Sequence, residues 1–288
     1  TYRFRSTPYN LPVNIKDPDL TDEPFWDDAD VRFEGIKTQW NDFVRAVRDK
    51  DDYEQMMDLD AFARFFMVND LILNMELGHP KSTFLYRENY ADPESKYVFG
   101  PVWDLDWAYG YENSSQYYVR DATASIFSKM TGQSGNNFFM ALLDNSEEVR
   151  KAYYRVWVEF MRKYYEEFLE YPEDYFNYAN SSYQTNASLW GDGRNYASQL
   201  NQIRTWFDQR TSWIMENIEV FDLGDDSPYL SIGDVNADGV YSVADVVCLL
   251  AYMLGERPED FHLKQADIDK NGFITVTDLV SVIEFVIK

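Results

Sequence analysis

Near the C-terminal end of this 288-residue chain, a 12-residue pattern occurs twice at a spacing of 33 residues. Asp234, Asn236, Asp238, Ser242 and Asp245 stand at positions 1, 3, 5, 9 and 12 of the first copy. Asp267, Asp269, Asn271, Thr275 and Asp278 hold the same positions in the second. Position 6 is glycine in both, Gly239 and Gly272. Oxygen-bearing side chains at such positions converge on one point when the chain turns sharply, and glycine permits the turn. Position 7, Val240 and then Phe273, would offer its backbone carbonyl, and the carboxylate at position 12 would close the shell. The pattern predicts two Ca²⁺ sites, one per loop. One such loop would also fit ordinary acid-and-glycine turn chemistry; two in register are the mark of a repeat.

An apolar stripe follows each loop. Val246, Leu249, Leu250, Met253 and Leu254 recur 33 residues on as Leu279, Val282, Ile283, Val286 and Ile287. The spacing predicts two short amphipathic helices packed face to face. A segment of about 58 residues has a marginal core of its own, so the two ions would be structural. Ankyrin arrays share the 33-residue period, but two copies are too few and their Thr-Pro-Leu-His signature is absent. The single cysteine, Cys248, excludes an internal disulfide or Cys-rich zinc site and reads as inert core.

Loop then helix, duplicated, with Asp rather than Glu at position 12 and no helix entering the first loop, resembles a dockerin module over residues 231–288. The resemblance implies calcium-dependent docking onto a cohesin domain of a scaffold protein, in extracellular complexes such as cellulosomes. It implies that positions 10 and 11 of each loop, here Val243 and Ala244, then Val276 and Thr277, face the cohesin with nearby helix residues, Leu250 and Ile283. The duplication leaves two docking orientations open. The apolar character of these positions leaves the cohesin class open.

The run Gly224-Asp225-Asp226-Ser227-Pro228 marks residues 223–230 as a linker, dividing the chain into 1–222 and 231–288. Fifty acidic against 26 basic residues, net −24, argue against nucleic acid or an anionic membrane surface as partner. The longest apolar run, 246–254, is about half of what a bilayer span needs, so no membrane span is expected. The chain starts at Thr1 without methionine or a signal-peptide pattern, which reads as a processed product or a fragment.

Upstream of the linker the pattern is mostly helical. Residues 1–35, with prolines at 8, 12, 18 and 24, read as an extended lead-in. Phe43, Val44 and Val47 mark a short helix. A longer one from about Asp52 carries Leu59, Phe62, Phe66 and Leu73 and is stopped by Leu77-Gly78-His79-Pro80. Strand-like runs occupy 82–87 and 96–103, and 109–135 reads as loop. Asn145 and Ser146 announce a helix with Val149, Val156, Phe160, Tyr164 and Phe168 on one stripe. The last carries Leu200, Ile203, Phe207, Trp213, Ile214 and Ile218. The fold class expected is α+β, mostly helical with a small sheet, followed by an all-α repeat.

Chemistry concentrates in Gly100-Pro101-Val102-Trp103-Asp104-Leu105-Asp106-Trp107-Ala108-Tyr109-Gly110. Two carboxylates at i and i+2 leaving a strand could hold Mg²⁺ against phosphate oxygens. Upstream, Asn74, Glu76, His79, Lys81 and Ser82 offer the groups that a phosphoryl-transfer enzyme would place around its base. Acids beside aromatics also cap turns, and the aromatic stretch 109–118 could be packing or a sugar platform. His79 before Pro80 fits a loop hydrogen bonder better than a ligand.

The Pro-x-Trp-Asp-x-Asp-Trp-x-x-Gly motif of residues 101–110 resembles that of the CotH (spore coat protein H) family of atypical protein kinases, C-terminal part. Residues 1–220 are similar to it in the helix, the following Pro-Lys-x-x-x-x-Tyr strand, Trp190-Gly191 and Trp206…Arg210…Trp213. The resemblance implies Asp104 as the acid that binds Mg²⁺ or Mn²⁺ with ATP, Asp106 in support, Trp103 beside the nucleotide, and a catalytic acid and a metal-binding amide on the upstream loop. Those two positions are Glu76 and Ser82 here, where active members have Asp and Asn. The family's N-terminal strands and phosphate-holding lysine have no counterpart in this sequence. Three readings follow: a scaffold-tethered kinase-like enzyme, a non-catalytic protein- or glycan-binding module on the same scaffold, or a glycoside hydrolase using paired carboxylates about 5–9.5 Å apart.

Overall fold

The computed structural model describes residues 2–92, 94–105, 108–110, 121–128, 132–191, 196–221, 223, 232–269 and 271–287. They form helices and two small two-stranded antiparallel sheets, grouped in two compact units, residues 1–153 and 154–288.

In the first unit, β1 (Arg3–Arg5) pairs with β2 (Pro12–Asn14), Phe4 opposite Val13. Tyr2 and Phe4 set their rings on Phe33 of α1 (Ala29–Asp49), at centroid distances of 5.3 and 5.9 Å. The expected lead-in is therefore a hairpin plus the start of a 21-residue helix. The first half of α1 hides from a periodicity search because it is largely polar, with Arg32 paired to Asp28 and Lys37 to Glu34 along its surface.

Helix α2 (Leu59–Leu71) is started by Asp58, whose carboxylate accepts the Ala61 amide at 2.9 Å. Its Phe62, Phe65 and Phe66 meet Phe99, further along the chain, and Phe139 of α3 (Ser134–Asp144). The helix stops at Leu71, short of the predicted Leu77-Pro80 boundary. Two buried asparagines end it: Asn69 Nδ2 donates to the Phe65 carbonyl, and Asn74 Nδ2 to Asn69 Oδ1, both at 2.8 Å. Side chains that bond the local backbone compete with the helix, and Leu73 goes left-handed (φ 53°) beside them. A 3₁₀ turn, Met75–Gly78, follows.

The predicted strands shrink to β3 (Leu85–Tyr86) and β4 (Val98–Phe99), Leu85 opposite Phe99. Arg87 replaces further ladder, its guanidinium donating to the carbonyls of Ser95 and Asp92 at 2.8 Å. Helix α3 starts at the very end of the stretch expected to be loop and runs on through residues to which the sequence pattern assigned no element. Its opening Ser134-Gly135-Asn136-Asn137 is a poor helix start, and burial of Phe138, Phe139 and Leu142 is what stabilises it.

Helix α4 (Glu147–Lys163) runs from the first unit into the second, where Tyr154, Trp157 and Phe160 are buried. The stripe expected to continue to Phe168 is interrupted at Tyr164 (φ −126°), and a separate 26-residue helix, α5 (Tyr165–Trp190), begins. α6 (Tyr196–Asn217) returns antiparallel beside it: Tyr165 meets Thr211, Phe168 meets Phe207, and Glu173 pairs with Arg204. The C-terminal repeat supplies α7 (Val243–Met253), α8 (Leu263–Ala266) and α9 (Val276–Ile287). Val235, Leu249, Phe261, Ala266 and Val282 form its core, with Tyr252 stacked on Phe261 at 3.9 Å. The approaches to the two loops are tied together, the Gly233 amide donating to the Gln265 carbonyl and the His262 amide to the Val235 carbonyl. At Gly233 (φ 97°) a Cβ would stand 2.5 Å from the Phe285 ring, so only glycine fits.

Candidate functional site

Each C-terminal loop is wound around its first carboxylate. Asp234 accepts the amides of Asp238 at 3.1 Å and Gly239 at 3.0 Å; Asp267 accepts those of Asn271 at 3.1 Å and Gly272 at 2.9 Å. The carboxylate at position 12 spans each loop. Asp245 accepts the amides of Asn236 and Ser242, at 3.2 and 2.8 Å. Asp278 accepts those of Ile268, Asp269 and Thr275 and the Thr275 hydroxyl, at 2.9 to 3.3 Å. Gly239 (φ 89°) and Gly272 (φ 81°) make the turns. The same residues start the helices, since Ser242 and Asp245 form a capping box on α7.

These residues fit a hard cation. One oxygen from each of Asp267, Asp269 and Asp278 lies within 4.8 Å of the other two. Asp234 and Asp278 are 1% and 0% exposed. Burial is the main cause that lifts the Asp234 carboxyl to about 6; the Gly239 amide pulls it down, and the Asp245 and Asp238 charges push it further up. A carboxylate buried among like charges is what a cation would relieve. Burial also pushes Asp278 up, but its four hydrogen bonds outweigh that and hold it below the usual range. In the first loop Asn236 Nδ2 donates to Asp238 at 2.9 Å. At position 7, Val240 and Phe273 turn their side chains to solvent. Cys248 is buried, and its thiol is pushed up to about 11 chiefly by burial, which keeps it protonated and unreactive.

The second cluster lies after β4. Ser82 Oγ donates to Asp104 Oδ2 at 2.9 Å, joining two residues 22 apart in sequence. Both are left-handed, φ 48° and 62°, a conformation that non-glycine residues hold only when their surroundings impose it. Trp103 is exposed and edge-on to Phe84, at 6.4 Å between centroids. Glu76 sits in the 3₁₀ turn, 7% exposed, its amide capped by Asn74 Oδ1 at 3.1 Å. Asp106, Trp107 and residues 111–118 of the aromatic stretch lie outside the described residues.

The loop that carries Glu76 is seated on the start of α3. A Cβ on Gly135 would stand 1.9 Å from the Leu77 carbonyl oxygen and 2.7 Å from Pro80 Cδ. The His79 ring bonds the Gln133 side chain; burial and then Lys81 lower its pKa, against that hydrogen bond. Gly135, Gln133 and Asn69 help to build this site, and sequence reasoning misses all three. The one signal that could have found them is a glycine in the first turn of a helix that periodicity does not reveal.

Comparison with known families agrees with both halves. The family model described as CotH kinase protein matches residues 2–214, and that described as dockerin type I domain matches residues 232–287. A search of the curated proteins and a search of the solved structures each found no match. No helix among the described residues is long and apolar enough to cross a membrane. With the Trp103-Asp104 segment leaving a short strand and two cation-type loops each opening a helix, the chain belongs to the CotH kinase protein family and ends in a dockerin type I domain.

Proposed function

We propose that the protein docks through residues 231–288, loaded with two Ca²⁺, onto a cohesin domain of an extracellular scaffold, and so brings a CotH-family domain, residues 1–222, to that assembly. The observation that carries the reading is a doubled exposed apolar face. Val243, Val247 and Leu250 on α7, with Leu254 at its C-cap, are matched 33 residues on by Val276, Val280, Ile283 and Ile287 on α9, all between 37 and 75% exposed. The i, i+4, i+7, i+11 spacing puts each set on one side of its helix, and large aliphatic patches in water mark contact surfaces. Ala244 and Thr277 are exposed beside them in the first turns. Leu249 and Val282 of the same stripes face the core, which separates the part of each stripe that folds the repeat from the part available to a partner.

Calcium here is structural. The residues that would hold it are Asp234, Asn236, Asp238, Ser242 and Asp245 with the Val240 carbonyl, and Asp267, Asp269, Asn271, Thr275 and Asp278 with the Phe273 carbonyl. Replacing Leu250 and Ile283 together by Asp is expected to leave calcium titration intact while weakening cohesin capture about a hundredfold, the scale of hot-spot losses. Either substitution alone costs less, because the other copy can serve. Unchanged capture by the double variant would overturn the assignment of this face.

For the larger domain, the kinase reading has Asp104 hold Mg²⁺ or Mn²⁺ with ATP, supported by Asp106, with Ser82 beside it, Trp103 near the nucleotide and Glu76 as base. The Ser82–Asp104 bond supports it by bringing two of these residues together. The alternative, a non-catalytic module that binds protein or glycan, is favoured by Glu76. Its carboxylate is nearly buried and one methylene longer than the family's Asp, where a base must meet a hydroxyl within about 0.5 Å of its productive place. Calorimetric titration of Mg²⁺-ATP into the protein and its Asp104→Ala variant separates the two. Binding lost in the variant supports the kinase reading; no heat in either supports the binding module.

A further inference from the structure

The stretch between the two loops, residues 256–266, is occupied by neither calcium chemistry nor the exposed α7 and α9 faces. It is where the repeat meets the α5–α6 pair. The Lys264 ammonium, its side chain 19% exposed, donates to Asp208 Oδ1 at 2.7 Å, to Ser212 Oγ at 2.8 Å and to the Asp208 carbonyl at 3.2 Å. It also lies 5.4 Å from the centre of the Tyr165 ring. One residue earlier, the Leu263 amide donates to Glu166 Oε1 at 3.1 Å, which gives the first turn of α8 its acceptor. The His262 ring bonds the Met161 backbone, and Arg257 pairs with Glu170 at 3.1 Å. These contacts reach the end of α4, the first two turns of α5 and the second half of α6, the base of the helical pair.

We propose that residues 256–266 are an internal docking surface that fixes the C-terminal repeat on the α5–α6 pair, so that the two open together rather than moving as modules on a free linker. The Arg257–Glu170 pair is exposed and adds little. Lys264 is the centre because its three ammonium donors all find acceptors in a largely buried place, and hydrogen bonds to a charged group are the strong ones. Helix α8 also leads directly into the second loop, the Asp267 amide donating to the Leu263 carbonyl at 3.0 Å. The surface that holds the repeat in place is therefore continuous with a cation loop, while the α7 and α9 faces stay exposed.

The proposal stands on these contacts and needs neither the cohesin nor the kinase reading. It is tested by amide hydrogen exchange on the intact protein with calcium present, comparing native, Lys264→Glu and the swapped Lys264→Glu/Asp208→Lys. Exchange through local opening reads how firmly each segment is held. In Lys264→Glu, amides of residues 204–214 and of 256–266 are expected to exchange about tenfold faster together, with the swapped variant recovering most of the protection. Acceleration confined to 256–266, or none, would overturn the proposal. Should Lys264→Glu fail to fold, Lys264→Gln serves: a smaller joint rise in both segments supports the proposal, and unchanged exchange in 204–214 overturns it.

Discussion

Chelation of calcium by EDTA is expected to unfold residues 232–287 and abolish cohesin capture. With Asp234 and Asp278 almost wholly buried and Asp245 and Asp267 beside them, the folded loops gather carboxylates that repel each other once the cation is gone. The compensating core is small: Val235, Leu249, Phe261, Ala266 and Val282 with a few neighbours. A segment of this size is marginal without a cross-link or metal, so the binding free energy of the ions is its folding free energy. The single substitution of largest effect is Asp278→Ala. It removes the position-12 carboxylate and strands four donors at once, the amides of Ile268, Asp269 and Thr275 and the Thr275 hydroxyl. These donors are only partly buried, so each costs less than the about 1–3 kcal/mol of a fully buried unmet donor, and a total of about 3 kcal/mol is expected even at saturating calcium. Calcium calorimetry should then count one ion in place of two. A repeat that keeps its dispersed amide spectrum and its cohesin binding in EDTA would refute the structural role of the ions.

Gly135→Ala is expected to destabilise the first unit by about 1–3 kcal/mol, against the usual gain when alanine replaces a helical glycine. The reason is local. The new methyl would meet the Leu77 carbonyl oxygen at 1.9 Å, a backbone atom that cannot rotate away, and Pro80 Cδ at 2.7 Å. Either α3 lifts off or the loop carrying Glu76 and His79 shifts. Gly35, in the first half of α1, is the control, because a Cβ there would have no neighbour beyond its own helix turn within 4 Å. Gly35→Ala should stabilise by about 0.5–1 kcal/mol. Denaturant midpoints of the two variants should move in opposite directions; a shared direction would show that α3 is not seated on that loop.

The contrast between these two glycines shows how much of the fold is legible. Both lie within a helix, and only the carbonyl packed against one of them makes it indispensable. The helices evident from sequence, α4, α6, α7 and α9, carry apolar residues at helical spacing on one face. Those that escape it fall outside that rule. The start of α1 is polar, α3 is too short and too poorly capped to be helical without its buried phenylalanines, and α5 is split from α4 by a single residue, Tyr164. The expected end of α2 comes late because glycine and proline are conspicuous, whereas the buried Asn69–Asn74 pair that ends the helix is visible only as a contact.

Elements whose physics is local can be read from the order of residues alone. Twelve residues suffice to define such a loop, because the oxygen-bearing side chains at positions 1 to 12 are close along the chain and the glycine that turns them lies among them. Duplication at a spacing of 33 then determined a second loop, a matching helix and a doubled apolar stripe. Packing sets which half of each stripe is core and which is exposed, since Leu249 and Leu250 are neighbours of equal hydrophobicity that differ only in what packs on them. It alone joined Ser82 to Asp104, seated the Glu76 loop on α3, and brought Lys264 to Asp208 across 56 residues. Such contacts depend on how helices of fixed length and direction stack, and no spacing along the chain encodes that.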